Sequence, residues 1–233
     1  MKKIGLVGGI GPASTVAYYL GLIERSRDEQ GTYPEIVIDS VDMLKHDAAL
    51  NDSDYDRLCG YLLASLSSLK AAGAEIAAIT ANTEHIVWDR ICDKFPVPVV
   101  SIVEATVCEI RKMGYQKVLV FGTAATLRSR LYHNALEQNG VATVSLTDED
   151  VSLTGRLIYP NLENGIVIAD DRKKLIGLAE KYIEREHADA LLLGCTELSL
   201  AVRQGDVSVP VLDTTQIHIW EIFREAVGYH FLN

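Results

Sequence analysis

What this sequence lacks narrows it first. Its 233 residues hold four cysteines, Cys59, Cys92, Cys108 and Cys195, with no CxxC pair and no metal-ligand spacing. A disulfide framework and a bound metal are therefore not expected. No apolar run is long enough to span a bilayer. The opening MKKIGLVGG sets two lysines before an apolar run, as a signal peptide does. That run stops almost at once in a Gly-rich turn, short of an h-region, and reads as a first strand. With no secretion signal, the thiols are expected to be reduced and the chain cytoplasmic. There is no basic cluster: 22 Lys and Arg stand against 32 Asp and Glu, a net charge of −10. Nucleic acid, whose phosphates need Lys/Arg stripes, is not an expected partner, and neither is a membrane. What remains, 48% hydrophobic and 23% charged residues, is ordinary for a globular protein.

Short apolar runs alternate with helix-like segments. KKIGLVGG precedes GPASTVAYYLGLIERSRD, and EIVIDSV precedes DRLCGYLLASLSSLKAAG. AEIAAITAN precedes TEHIVWDRICDKF, and VPVVSIV precedes EATVCEIRKMG. The runs are rich in Val and Ile and apolar on both faces, as parallel strands covered by helices should be. The alternation implies an α/β fold with right-handed crossovers. The order then begins again. Gly8 in KKIGLVGG matches Gly122 in QKVLVFGT, and Ala81 in ITANTEH matches Cys195 in LLGCTEL; both offsets are 114 (122 − 8 and 195 − 81). VPVV at Val97 and VPVL at Val209 lie 112 apart, a drift that one small indel explains. Two similar parallel-sheet α/β halves follow, residues 1–110 and 111–233, the last helix packing back on the first half. No Pro-, Gly- or Ser-rich linker separates them; the boundary is RKMGYQK, with Gly114 as a helix C-cap. Because ligands gather at the carboxyl ends of parallel strands, a pseudo-twofold cleft between the halves is the expected site.

Several residues there admit two readings. GGIGPAS has Gly9 and Gly11 after a strand but no third glycine and no GK[ST], so a dinucleotide fingerprint is disfavoured. Gly9 and Ile10 instead let the backbone approach a small carboxylate, with Pro12 in the first helical turn. Cys195, at a strand end inside the duplicated pattern, reads as functional, whereas Cys59, Cys92 and Cys108 read as packing residues. His85 is either an acid/base or a loop staple bonded to a backbone carbonyl. His46, His133, His187, His218 and His230 share no motif, and His187 and His230 read as surface residues. Glu197 and Glu104 read first as acids at helix N-termini.

IGLVGGIGPASTVAYY, ANTEHIV, SIVEAT, FGTAAT and GCTELSL, in this order, resemble the aspartate/glutamate racemase family over nearly the whole chain. The most specific pieces are Asn82 to His85 (N-T-x-H) and Gly194 to Glu197 (G-C-T-E). The resemblance implies an amino-acid racemase that uses neither pyridoxal phosphate nor metal, expected here as a homodimer. Two thiols in such enzymes stand on opposite faces of Cα. Cys195 matches the second; the first falls on Ala81, which can neither give nor take a proton. Thr83, His85, Thr80 or a held water are the candidates for that face, and activity is expected to be low. Cys195 is expected as a thiolate favoured by helix N-terminal amides. Asn82, Thr83, Thr123 and Thr196 are expected to hold the substrate's carboxylate and ammonium. In aspartate-specific relatives the distal carboxylate meets an Arg and a Lys; here those positions fall near Lys45 or His46 and on or next to Glu163, which disfavours aspartate. The alternatives are a single-thiol Cα lyase or decarboxylase, and a catalytically impaired amino-acid-binding homologue.

Overall fold

The computed structural model describes residues 1–228. They form two units, Met1–Ile102 with the segment from His218 onward, and Val103–Ile217. In the first unit, β1 (Ile4–Gly8), β2 (Ile36–Ser40), β3 (Ile76–Ile79) and β4 (Val99–Val100) pair in parallel in the order β2-β1-β3-β4. Its helices are α1 (Pro12–Gln30), α2 (Met43–Asn51), α3 (Tyr55–Ala71) and the short α4 (Trp88–Ile91). Pro12 opens α1, where its fixed φ suits a first turn and its missing N–H costs nothing. β1 and β3 are buried on both faces. Val7, Leu62, Leu66 and Ile79 pack on one side, and Leu6, Tyr18, Leu22, Ala78 and Phe223 on the other. β2 departs from the two-faced reading. It is an edge strand whose residues are half-buried or exposed, Ile38 among the latter.

The second unit repeats the plan. β5 (Lys117–Gly122), β6 (Ala142–Val144), β7 (Ala190–Gly194) and β8 (Val211–Asp213) pair in parallel in the order β6-β5-β7-β8. Around them run α5 (Ile102–Met113), α6 (Ala124–Arg128), α7 (Leu131–Gln138), α8 (Asp148–Ile158), α9 (Ala169–Glu186) and α10 (Leu198–Ala201). The last helix, α11 (Thr214–Val227), starts in this unit and ends in the first. Core clusters cover both faces of this sheet too. Gly114 follows α5 with φ +78°, the left-handed cap its position demands. Among the described residues no helix is long and apolar enough to cross a membrane.

Two cysteine readings are corrected. Cys92 and Cys108 are exposed and Cys59 is half-buried. In α5 the core side carries Ile102, Thr106, Val107 and Ile110, which leaves Cys108 on the outer face. Cys92 starts a 3₁₀ turn outside the core. His187 is exposed and ends α9 in the left-handed region, while His230 lies outside the described residues.

Candidate active site

In the first unit three segments meet at the carboxyl ends of β1 and β3. After β1 the chain turns through Gly9 at φ +84° and Gly11 at φ +75°. A Cβ on Gly9 would sit 2.5 Å from the Val41 carbonyl oxygen, so the glycine is required by backbone packing as well as by φ. The Gly9 N–H donates to Thr15 Oγ1 at 2.9 Å, and the Gly11 N–H points at Met43 Sδ at 3.4 Å. These two amides are thus engaged inside the protein, which qualifies the expectation that this loop greets a carboxylate. Ile10 is buried beside them. Ser14 Oγ donates to the Thr80 carbonyl at 2.8 Å, tying the start of α1 to the end of β3.

Ala81 follows, buried in the apolar cluster beneath α3. Of the candidates to serve its face, two are removed by their partners. Thr80 is fully buried and its hydroxyl donates to the Val7 carbonyl at 3.0 Å. His85 Nδ1–H donates to the Ala81 carbonyl at 3.1 Å, and His85 Nε2 accepts the Ile102 N–H at 3.4 Å. Its ring stacks on Trp88 with centroids 5.1 Å apart. With both ring nitrogens used, His85 is the loop staple; burial pushes it down to about 4, so it is neutral near pH 7. Thr83, at the start of a 3₁₀ turn, is half-buried, and Asn82 beside it is buried. Sequence reading missed a second buried imidazole here. His218 Nδ1 accepts from Tyr18 Oη at 2.8 Å and His218 Nε2–H donates to the Val100 carbonyl at 2.9 Å. A lone His in an apolar helix gives no sequence signal of this.

In the second unit the ends of β5, β7 and β8 carry Thr123, Cys195 and Asp213 side by side, since Gly122 is in register with Gly194 and Leu193 with Asp213. Thr123 caps α6, its Oγ1 accepting the Thr126 N–H at 3.1 Å. Asp213 accepts the Thr215 N–H at 2.8 Å, and burial raises its carboxyl above its ordinary value. Gly194 lies against the Tyr132 ring, where a Cβ would come within 3.0 Å. That close approach accounts for the glycine of G-C-T-E.

Cys195 is buried, and its Sγ donates to Glu197 Oε2 at 3.2 Å. Thr196 Oγ1 donates to the same oxygen at 2.7 Å. Two expectations change. Burial first, then the Glu197 charge, hold the thiol well above its ordinary value, outweighing the backbone amides that favour thiolate. Cys195 therefore rests protonated. Glu197 stands at the N-cap of α10 yet makes no side-chain cap bond; its carboxylate turns back to the thiol and hydroxyl. Its position had suggested a helix cap, and its side chain does not serve as one. The signal for the contact it makes instead was in the motif: a carboxylate two residues after a thiol and one after a hydroxyl. Glu104 does lie in the first turn of α5, exposed, as expected of a helix acid.

Lys45 lies two residues after Met43, whose Sδ faces the Gly11 N–H, and the turn that carries Glu163 packs against α10. Lys45, on α2, is largely exposed with Nζ 3.8 Å from Asp42 Oδ2. Glu163 is half-buried in the 3₁₀ turn Leu162–Asn164.

A family model described as Asp/Glu/Hydantoin racemase matches residues 7–222. The chain belongs to that racemase family. It is 25% identical to the broad specificity amino-acid racemase RacX of Bacillus subtilis over 91% of this chain and 92% of that protein. It is 38% identical to a solved aspartate racemase homologue from Pyrococcus horikoshii, with a TM-score of 0.85, covering 97% of this chain and 100% of that one. The match to glutamate racemase of Aquifex aeolicus, 30% identical, takes in 58% of this chain and 51% of that enzyme. In this family member the strand end after β7 carries a thiol–carboxylate pair, and the duplicated end after β3 carries the Ala81 methyl.

Proposed function

We propose that the chain is a cofactor-independent amino-acid racemase in which Cys195 and Glu197 work as one acid–base pair on Cα. The observation that carries this is the Sγ–Glu197 Oε2 hydrogen bond at 3.2 Å in a buried strand end of a racemase-family fold. At rest the thiol holds the proton and Glu197 is the carboxylate. Passing that proton to Glu197 leaves a thiolate, which takes the proton from Cα. The electron pair left on Cα delocalises into the substrate carboxylate as an enediolate. Asn82, Thr83, Thr123 and Thr196 bind the substrate's carboxylate and ammonium and steady that charge. The Cys195 thiol returns a proton to its own face, which gives exchange without inversion. Inversion needs a donor on the other face, where Ala81 has none; the half-buried Thr83 hydroxyl or a held water serves instead. A hydroxyl is a weak acid and base at neutral pH, so inversion is slow relative to exchange.

The test is Cα exchange in deuterium oxide together with chiral inversion, across a panel of amino acids. Exchange outpacing inversion supports the pair as described. Exchange with complete retention assigns a one-faced enzyme, the reading that Ala81 itself favours. Neither exchange nor inversion with any amino acid sinks the proposal. The same reading takes the protein as a cytoplasmic homodimer. Val16, Tyr19 and Leu20 form an exposed apolar stripe on α1, which supports pairing of copies. A monomer mass by analytical ultracentrifugation at micromolar concentration removes that part.

A further inference from the structure

Tyr132, on α7, is fully buried, so no substrate touches it. Its ring nonetheless lies against the strand end that carries the thiol. Tyr132 Cδ2 and Cε2 would stand 3.0 and 3.1 Å from a Cβ on Gly194, and the Phe121 carbonyl oxygen closes in at 3.0 Å as well. The exit from β7 is thus pressed between an aromatic ring and a backbone oxygen. The Tyr132 hydroxyl hydrogen-bonds to the side chains of Thr106 on α5 and Thr214 at the head of α11. Burial pushes the phenol up, so it keeps its proton near pH 7 and donates it. Thr214 Oγ1 spends its one proton on the Leu193 carbonyl at 2.8 Å, and therefore meets the phenol as an acceptor. Three hydroxyls then form a chain with one direction, Thr106 to Tyr132 to Thr214, ending on the carbonyl two residues before Cys195. Such chains strengthen their members at low dielectric. A phenylalanine would fill the same space, so packing alone does not call for the hydroxyl.

We propose that Tyr132 is the positioning residue for Cys195: its ring and its hydroxyl chain hold the end of β7 so that Sγ stays within reach of Glu197 Oε2. This role rests on the acid–base pair proposed above and supplies what keeps that pair assembled. Strand pairing ends at Gly194, so the ladder does not fix Cys195 itself. Its place is set by what packs on the last residues of β7. Proton transfer between Sγ and Oε2 depends steeply on that placement, since a small displacement of reacting groups costs much of their rate.

Tyr132→Phe and Thr214→Val each break the chain while nearly keeping side-chain volume. Two quantities are read. One is the Cys195 ionisation midpoint, taken as thiolate absorbance against the matching Cys195→Ser background. The other is the pair kcat and KM for Cα exchange in deuterium oxide. A loosened turn admits water and weakens the Glu197 contact, and both lower the midpoint. Each variant should lower it by about one pH unit and cut kcat roughly fivefold with KM nearly unchanged. Thr214→Ser, which restores the hydroxyl, should recover both. Circular dichroism checks folding, and either variant carries the test should the other fold poorly. An unchanged midpoint in a folded variant makes Tyr132 a packing residue and overturns the proposal, as does a raised KM with kcat unchanged. If the parent protein exchanges no amino acid, the racemase reading fails by itself, and the midpoint still decides the role of Tyr132.

Discussion

At the residue scale, the proposed chemistry rests on one thiol and the carboxylate that keeps it protonated. Cys195→Ser should abolish Cα exchange while leaving thermal stability nearly unchanged, because a hydroxyl of similar size still reaches Glu197 but is far less acidic. Glu197→Gln separates the partners. Removing the charge lowers the Cys195 ionisation midpoint, read as thiolate absorbance against the Cys195→Ser background, yet exchange should fall at least tenfold for want of a proton acceptor. A Glu197→Gln enzyme with full exchange activity would show that the carboxylate merely packs. Ala81→Cys should raise inversion relative to exchange by supplying a donor on the second face. Ala81 sits in a dense apolar cluster, so a stability cost of about 1–3 kcal/mol is expected alongside. A folded Ala81→Cys protein with an unchanged inversion-to-exchange ratio places the second face elsewhere.

At the element scale, two neutral imidazoles tie separate segments of the first unit together. His85 joins the Ala81 carbonyl to the Ile102 amide, and His218 joins Tyr18 to the Val100 carbonyl. Burial lowers them from 6.5 to about 4 and about 3, respectively. The sign follows from linkage. Unfolded, each takes a proton below about pH 6.5; folded, each resists until about 4 or 3. Their contribution is complete above pH 6.5 and is lost as pH falls toward the folded values. The urea midpoint should therefore drop steadily between pH 6.5 and 4. His85→Gln should flatten that slope while costing about 1 kcal/mol at pH 7 for its hydrogen bonds. An equally steep slope in the variant would assign the acid sensitivity to carboxylates instead.

For the whole molecule, the question is which amino acids it accepts. Lys45 is matched by Asp42, and Glu163 brings negative charge to its own unit. Neither arrangement offers the fixed guanidinium fork that grips a distal carboxylate. The expected outcome is that neutral or basic amino acids match or exceed aspartate in kcat/KM at fixed salt. A tenfold preference for aspartate or glutamate, lost in Lys45→Ala, would reverse it.

Much of this protein was legible before any coordinates. Val- and Ile-rich runs at regular spacing, and two strand-end motifs 114 residues apart, determined two parallel α/β halves and the matching of Ala81 with Cys195; the resemblance of the motifs themselves implied the family. These are properties of local periodicity and repeated order, which sequence carries directly. Tertiary structure decided what depends on where a side chain turns and what surrounds it. Only burial and the orientation of Glu197 made Cys195 a protonated thiol; spacing alone suggested a thiolate. Only the carbonyl of Ala81 and the amide of Ile102 made His85 a staple. Cys92 and Cys108 have apolar neighbours along the chain yet face outward, because exposure is set by the packing of whole helices against a sheet.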